Sequence, residues 1–167
     1  MQKYPLAPMS PVIFWMTFAL LFLPPVLLYA GSSAPGPLGT APAVFVLGIY
    51  LLIWLYMRPS HFELSSASLE VVWPIRRFST PLSDIHSIEL LDSAEFRSRY
   101  GYGMRIGAGG LWGGFGLLKT RTETFRFYIS RLDGYVLIRT ASARPLLITP
   151  ADPAGFARSL DLLRQSG

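Results

Sequence analysis

The chain has 167 residues, of which 51% are apolar and only 15% charged, with a formal net charge of +5. Ordinary soluble domains carry roughly one-quarter charged residues, so part of this chain is not built for water. The mild charge excludes a nucleic-acid argument, and the lack of cysteine excludes disulfides and Cys-based metal sites.

From Tyr4 to Met57 there is no Asp, Glu, Lys or Arg. Pro11 to Ala30 is a 20-residue uncharged run, about 30 Å long as a helix, which matches the hydrocarbon thickness of a bilayer. The Pro24-Pro25 pair removes two backbone donors and predicts a kink. Ala41 to Met57 is a second, shorter run, with Trp54 and Tyr56 where interfacial aromatics belong. Between the two, Gly31 to Thr40 holds three glycines and two prolines and predicts an exposed turn. A competing reading cleaves the first run as a signal peptide after Ala30 or Ala34. The length of the run, bulky Leu28 and Pro35 stand against it.

Lys3 precedes the first run, and Arg58, Arg76 and Arg77 follow the second, whereas the turn has no positive charge. The positive-inside rule then puts both termini in the cytoplasm. The expected organisation is a cytoplasmic tail over 1–10, a transmembrane helical hairpin over 11–57 (spans 11–30 and 41–57, external turn 31–40) and a cytoplasmic domain over 58–167.

From His61 the pattern changes to short alternating segments divided by turn residues, which is a strand period. His61–Leu64, Leu69–Trp73, Arg76–Pro81 and Ile85–Leu91 read as four strands, and Asp92–Tyr100 as a charged loop. Gly101 to Gly116 holds eight glycines in 16 positions. Phe125, Phe127 and Ile129 alternate with polar neighbours in the cleanest strand, and Asp133-Gly134 turns the chain into Tyr135–Thr140. Leu146–Thr149 is the last strand. Asp152-Pro153 starts a helix whose buried stripe is Phe156, Leu160 and Leu163. Six or seven antiparallel strands and a terminal amphipathic helix make a small sandwich or partly open barrel.

Several residues are candidates for a site. The glycine-rich stretch lacks both G-x-G-x-x-G and the P-loop pattern, which argues against a nucleotide cradle. Leu111, Trp112, Phe115, Leu117 and Leu118 either touch lipid or a partner, or the aromatics pack inward behind a glycine-bent hairpin. Arg76, Arg77, Arg97, Arg99, Arg105, Lys119 and Arg121 either ring the membrane-facing side or are scattered solvated charges. The contact set is therefore Arg76, Arg77, Arg105, Leu111, Trp112, Phe115, Lys119 and Arg121. His61 and His86 stand in no metal-binding pattern, and no cofactor is expected. Asp84 and His86 with Ser83 or Ser87 would make a triad for a membrane-bound hydrolase, but no nucleophile-elbow glycine frame accompanies them.

The order Phe62-Glu63-Leu64, Leu69-Glu70-Val71, Ile75-Arg76-Arg77-Phe78, Pro81-Leu82-Ser83-Asp84-Ile85, the glycine-rich middle, Val136-Leu137-Ile138-Arg139-Thr140 and Ile148-Thr149-Pro150 with its helix resembles bacterial pleckstrin-homology (PH) domain membrane proteins over roughly residues 60 to 165. The preceding two-span hairpin, which such proteins often carry, adds to the likeness. The resemblance implies a seven-stranded, two-sheet barrel plugged by a C-terminal helix, located at the bacterial inner membrane. It implies binding or assembly rather than enzymology. Eukaryotic lipid-binding members of the wider fold place Lys and Arg in the first strand-strand loop. The equivalent Ser65–Ser68 loop has none, so phosphoinositide binding is not carried over. The expected function is a non-catalytic protein-interaction or assembly module, its partner another protein or a second copy. The alternative is a module for anionic lipid or a small ligand.

Overall fold

The computed structural model describes residues 1–33 and 36–165. Residues 34–35 of the expected external turn and 166–167 of the expected domain lie outside them.

The first apolar run forms α1 (Pro11–Leu21) and α2 (Leu23–Gly31), one rod interrupted at Phe22. Proline explains the break, because Pro24 has no N–H to offer the Leu20 carbonyl four residues back. The Tyr50 hydroxyl, on the second run, donates to that carbonyl instead. Neighbouring helices repair proline breaks in this way where water is absent. Pro11–Gly31 spans 21 residues and is, among the described residues, the one helix long and apolar enough to cross a bilayer. The second run is shorter, a 12-residue α3 (Ala41–Leu52) continued by a five-residue π turn, Ile53–Met57. The rod turns Val12, Phe14, Trp15, Phe18, Phe22 and Val26 outward.

The first sheet is antiparallel throughout, in the order β1 (Gln2–Pro5), β2 (His61–Leu64), β3 (Ser68–Val72), β4 (Arg77–Pro81). The segment 1–10, expected as a cytoplasmic tail, holds a strand. Gln2–Pro5 instead pairs along β2, with Lys3 opposite Glu63. The chain leaves the domain for the apolar helices and returns to pair beside its own start.

The second sheet contains β5 (Ile85–Leu91), β6 (Met104–Gly109), β7 (Gly114–Lys119), β8 (Thr124–Ile129), β9 (Tyr135–Thr140) and β10 (Leu146–Ile148), in the order β5-β9-β10-β8-β7-β6. Only β10 and β8 run parallel. Among the described residues ten strands in two sheets stand where about seven in a sandwich or partly open barrel are expected from the sequence. Three additions account for the difference: β1, and the pair β6 and β7 from the glycine-rich stretch. The sheets meet where Leu6 bridges Pro150 and the Ala7 N–H donates to the Thr149 carbonyl at 2.9 Å.

Asp92–Tyr100 also departs from expectation, forming α4 (Ser93–Tyr100) rather than a loop. A reciprocal capping box starts it: the Glu95 N–H donates to Asp92 Oδ1 at 2.7 Å, and the Asp92 N–H to Glu95 Oε2 at 3.0 Å. The terminal helix α5 (Pro153–Gln165) begins as predicted, with the Gly155 N–H donating to Asp152 Oδ1 at 2.9 Å.

Two apolar clusters fill the domain. Phe62, Val71, Phe115, Ile138 and Ile148 meet Phe156 and Leu160 of α5 between the sheets. On the opposite face of the six-stranded sheet, Phe125, Phe127, Leu137 and Leu147 pack beneath Phe96 of α4. Burial on both faces explains why Val136-Leu137-Ile138 and Leu146-Leu147-Ile148 are continuous apolar runs.

Glu63 is the charged exception, on β2 with only 2% of its surface exposed. It meets His61 Nε2 at 2.9 Å, Lys3 Nζ at 3.2 Å and an Arg77 guanidinium nitrogen at 3.4 Å. The His61 hydrogen bond and Lys3 hold its carboxyl below the usual carboxylate range, against the opposing effect of burial. A depressed folded pKa gives stability that is present above the unfolded value, near 4.3, and lost as pH falls through the folded one. The E63Q variant should therefore melt below wild type at neutral pH, by about 1–3 kcal/mol of stability, and the gap should narrow as pH is taken down through about 4. A gap that stays constant in melts across that range would show that the charge of Glu63 contributes nothing.

Candidate membrane-facing interface

The glycine-rich stretch is a β6–β7 hairpin in which glycines oppose glycines: Gly107 pairs with Gly116 and Gly109 with Gly114. At its tip the Gly110 N–H donates to the Gly113 carbonyl at 2.9 Å. Gly110 has a φ of 90°, and a Cβ there would lie 3.0 Å from Met16 Cε on α1. The positive φ is what favours glycine here, and a side chain would in addition press on the flexible end of Met16.

One α1 side chain completes the tip. The Thr17 hydroxyl donates to the Gly110 carbonyl at 3.0 Å and accepts from the Trp112 N–H at 2.8 Å. Thr17 is buried, although it sits in an otherwise apolar helix. Trp112 pays with an unusual backbone: its φ of 59° is the only positive one among the described non-glycine residues, a strain of about 1–3 kcal/mol. Its ring meets Trp54 edge-on at 4.9 Å and Tyr50 at 6.4 Å. Such aromatic pairs offset part of the strain, each contributing about 0.5–1.5 kcal/mol beyond area burial.

Two further contacts hold the helix bases. The Trp73 indole N–H donates to the Met57 carbonyl at 3.0 Å, and the Ser10 N–H to the Ser130 carbonyl at 3.1 Å. Arg58, just beyond the second apolar run, lies over the Trp54 ring at 4.4 Å. The helices and the β-domain are consequently one packed unit.

The predicted contact residues do not form one patch. Leu111 and Phe115 are buried, so neither is available to lipid or a partner. Trp112 is half-buried against the helices. Arg76 is exposed, with its guanidinium over the Trp73 ring at 4.3 Å. Arg77 is also exposed, yet its charge is engaged within the sheet by Glu63 and Glu70. Arg105, Lys119 and Arg121 are exposed around the end of the hairpin remote from its tip. Basic residues on two different sheets make no single ring.

Thr17, Tyr50 and Trp73 are the residues that sequence reasoning missed. For Thr17 a signal existed, as the only aliphatic hydroxyl in Pro11–Ala30. Nor do the hydrolase candidates converge. The Asp84 carboxylate accepts from the Ser142 hydroxyl at 2.6 Å and the Ser142 N–H at 3.1 Å, while His86 is exposed and its carbonyl accepts from Arg164. Among the described residues no group of three His, Cys, Asp or Glu could hold a metal ion.

Residues 60–163 match a family model described as Bacterial PH domain. The chain belongs to the bacterial PH domain family. No curated protein and no solved structure matches it. PH domains are generally non-catalytic, a character that agrees with the dispersed Asp84 and His86. The match covers β2 through most of α5, so β1 and the apolar helices are additions to this PH domain.

Replacing Thr17 with Val keeps the shape but removes both hydrogen bonds. T17V should destabilise the full-length protein by about 1–3 kcal/mol and speed amide exchange at Trp112 selectively, whereas T17S should behave as wild type. Unchanged exchange at Trp112 in T17V, measured in mild detergent, would refute the proposed lock.

Proposed function

We propose that this chain is a membrane-anchored, non-catalytic PH-domain module that docks a protein partner or a second copy of itself at the cytoplasmic face of the bacterial inner membrane. In this reading both apolar helices lie in the bilayer as a hairpin, and both termini are cytoplasmic, as the distribution of Lys3 and Arg58 favours. The observation that carries it is the seating of the β6–β7 hairpin tip on Thr17, Trp54 and Tyr50. A domain fastened to apolar helices by its own backbone does not swing free of them. Restriction to the bilayer surface raises its effective concentration for any partner held there.

The docking surface we favour is β6, an edge strand of the six-stranded sheet. Met104 and Ile106 are exposed on it, and Tyr102 just before it. An uncovered edge with apolar side chains is a template for adding another strand.

Native mass spectrometry of the full-length protein in mild detergent tests this reading. A discrete homo-oligomer, or a stoichiometric second polypeptide, is the expected result. The M104K/I106K variant, which places charge along the edge, should shift either complex towards the monomer. A wild-type monomer without an added polypeptide would overturn the reading.

A further inference from the structure

The outer face of the six-stranded sheet is only partly covered by α4. Beside the helix a cavity of about 200 Å3 remains. Phe96, Leu118, Phe127 and Leu147 form its walls, and each belongs to the buried apolar cluster beneath α4. Arg97 of α4 and Arg105 of β6 line the same cavity from its exposed side.

Charge and wall chemistry point in one direction. Arg77, Arg99, Arg131, Arg139 and Arg164 all meet carboxylates. Arg97 and Arg105 have none among the described residues, as is true of Arg76, Arg121 and Arg126, but these two alone of that set line the cavity, and Arg97 lies over the Tyr102 ring at 5.2 Å. Tyr135 also lines the cavity: burial pushes its phenol above the usual range, Arg105 and more weakly Arg97 pull it back, and the Asp133 carboxylate, itself held by Arg131, adds to the rise. Two uncompensated guanidiniums at the mouth call for an anion, and guanidinium forks suit phosphate and carboxylate oxygens. Apolar walls call for an apolar occupant.

We infer that this cavity takes an amphiphile with one anionic head, a phosphate or a carboxylate, held by Arg97 and Arg105, and a short apolar segment packed against Phe96, Leu118 and Phe127. The site is on the six-stranded sheet, whereas the Ser65–Ser68 loop belongs to the other sheet. A membrane lipid and a free alkyl phosphate or fatty acid share this chemistry. Position makes the lipid accessible: a Cβ at Gly107 would lie 3.2 Å from Met57 Cε at the base of the second apolar run, and Arg105 is two residues, about 7 Å, further along the strand. The lipid source rests on the membrane-anchored reading above; the chemistry of the cavity does not.

The test uses the full-length protein in phosphatidylcholine nanodiscs and three diazirine probes: acyl-labelled phosphatidylglycerol and phosphatidylcholine built into the bilayer, and labelled decyl phosphate added from solution. Labelled residues are identified by peptide mass spectrometry. Anionic probes should label Phe96, Leu118 or Phe127, and labelling should fall on the order of tenfold or more in R97Q/R105Q. It should also exceed that by the phosphatidylcholine probe, and R97K/R105K should recover part of it. Both arginines are exposed and unpaired, so the variants are expected to fold, which a melting curve checks. Labelling by phosphatidylglycerol identifies a bilayer source, and labelling by decyl phosphate alone a free one. Labelling of the cavity by neither anionic probe, or equally in wild type and R97Q/R105Q, would overturn the inference. Extraction of the protein from vesicles by alkaline carbonate would defeat the anchoring reading instead, leaving the decyl phosphate arm as the test of the cavity.

Discussion

A backbone polar group that leaves water must find a partner, and the tip of the β6–β7 hairpin cannot supply all of its own. Its turn uses the Gly110 N–H internally, but the Gly110 carbonyl and Trp112 N–H point at α1. Thr17 satisfies both with one hydroxyl, which a rotatable O–H and two lone pairs allow. Much else follows from that seat. Gly110 turns the tip with a positive φ that favours glycine, and Trp112 takes a left-handed backbone with its ring against Trp54. The repair of the Leu20 carbonyl by Tyr50 lies on the same aromatic patch, since Tyr50 also meets Trp112. Thus the kink in the first rod, the packing of the second run and the hairpin tip share one small set of side chains.

This arrangement also decides between two readings of the glycines. A phosphate cradle needs backbone N–H groups free to converge on an anion. In β6 and β7 the glycines serve a cross-strand ladder, Gly107 with Gly116 and Gly109 with Gly114, and the tip amides are consumed by Gly113 and Thr17. Glycine here serves thinness. A two-stranded ribbon without side chains on one face can lie against helices or under neighbouring rings, as Phe127 does 2.7 Å from where a Gly114 Cβ would be.

Much of the fold was legible because its signals were periodic. The apolar runs, the strand alternation at Phe125, Phe127 and Ile129, and the Asp152-Pro153 helix start each correspond to an element of the structure. The failures have physical causes. β1 is four residues with no alternating apolar face, and its pairing with β2 comes from a segment more than fifty positions away, which no local window detects. α4 is charged on most of its surface and buries mainly Phe96, so its apolar periodicity is weak; the Asp92–Glu95 capping box was its local mark. The site was less legible than the fold. Leu111 and Phe115 were as apolar as an interaction patch and equally suited to a core, and composition does not separate the two. The functional partners of the tip lie on α1 and α3, about 60 to 95 residues upstream in sequence, and only folding brings them together.

The hairpin joins the seat on α1 to the cavity under α4. Its tip is fixed to α1, and its other end presents Arg105 beside the cavity under α4. Between them runs a paired ribbon whose partner β7 is itself paired to β8, so the hairpin is one margin of a six-stranded sheet rather than a loose flap. Behind it β8, β9 and β10 are buried on both faces, whereas β6 itself keeps Met104 and Ile106 exposed. Any shift of α1 against α3 would meet the tip, which both helices contact, through Thr17 and Trp112. The cavity to which we assign an anionic amphiphile and the seat on α1 thus lie at two ends of one paired ribbon, and thermodynamic linkage requires any coupling between them to act in both directions.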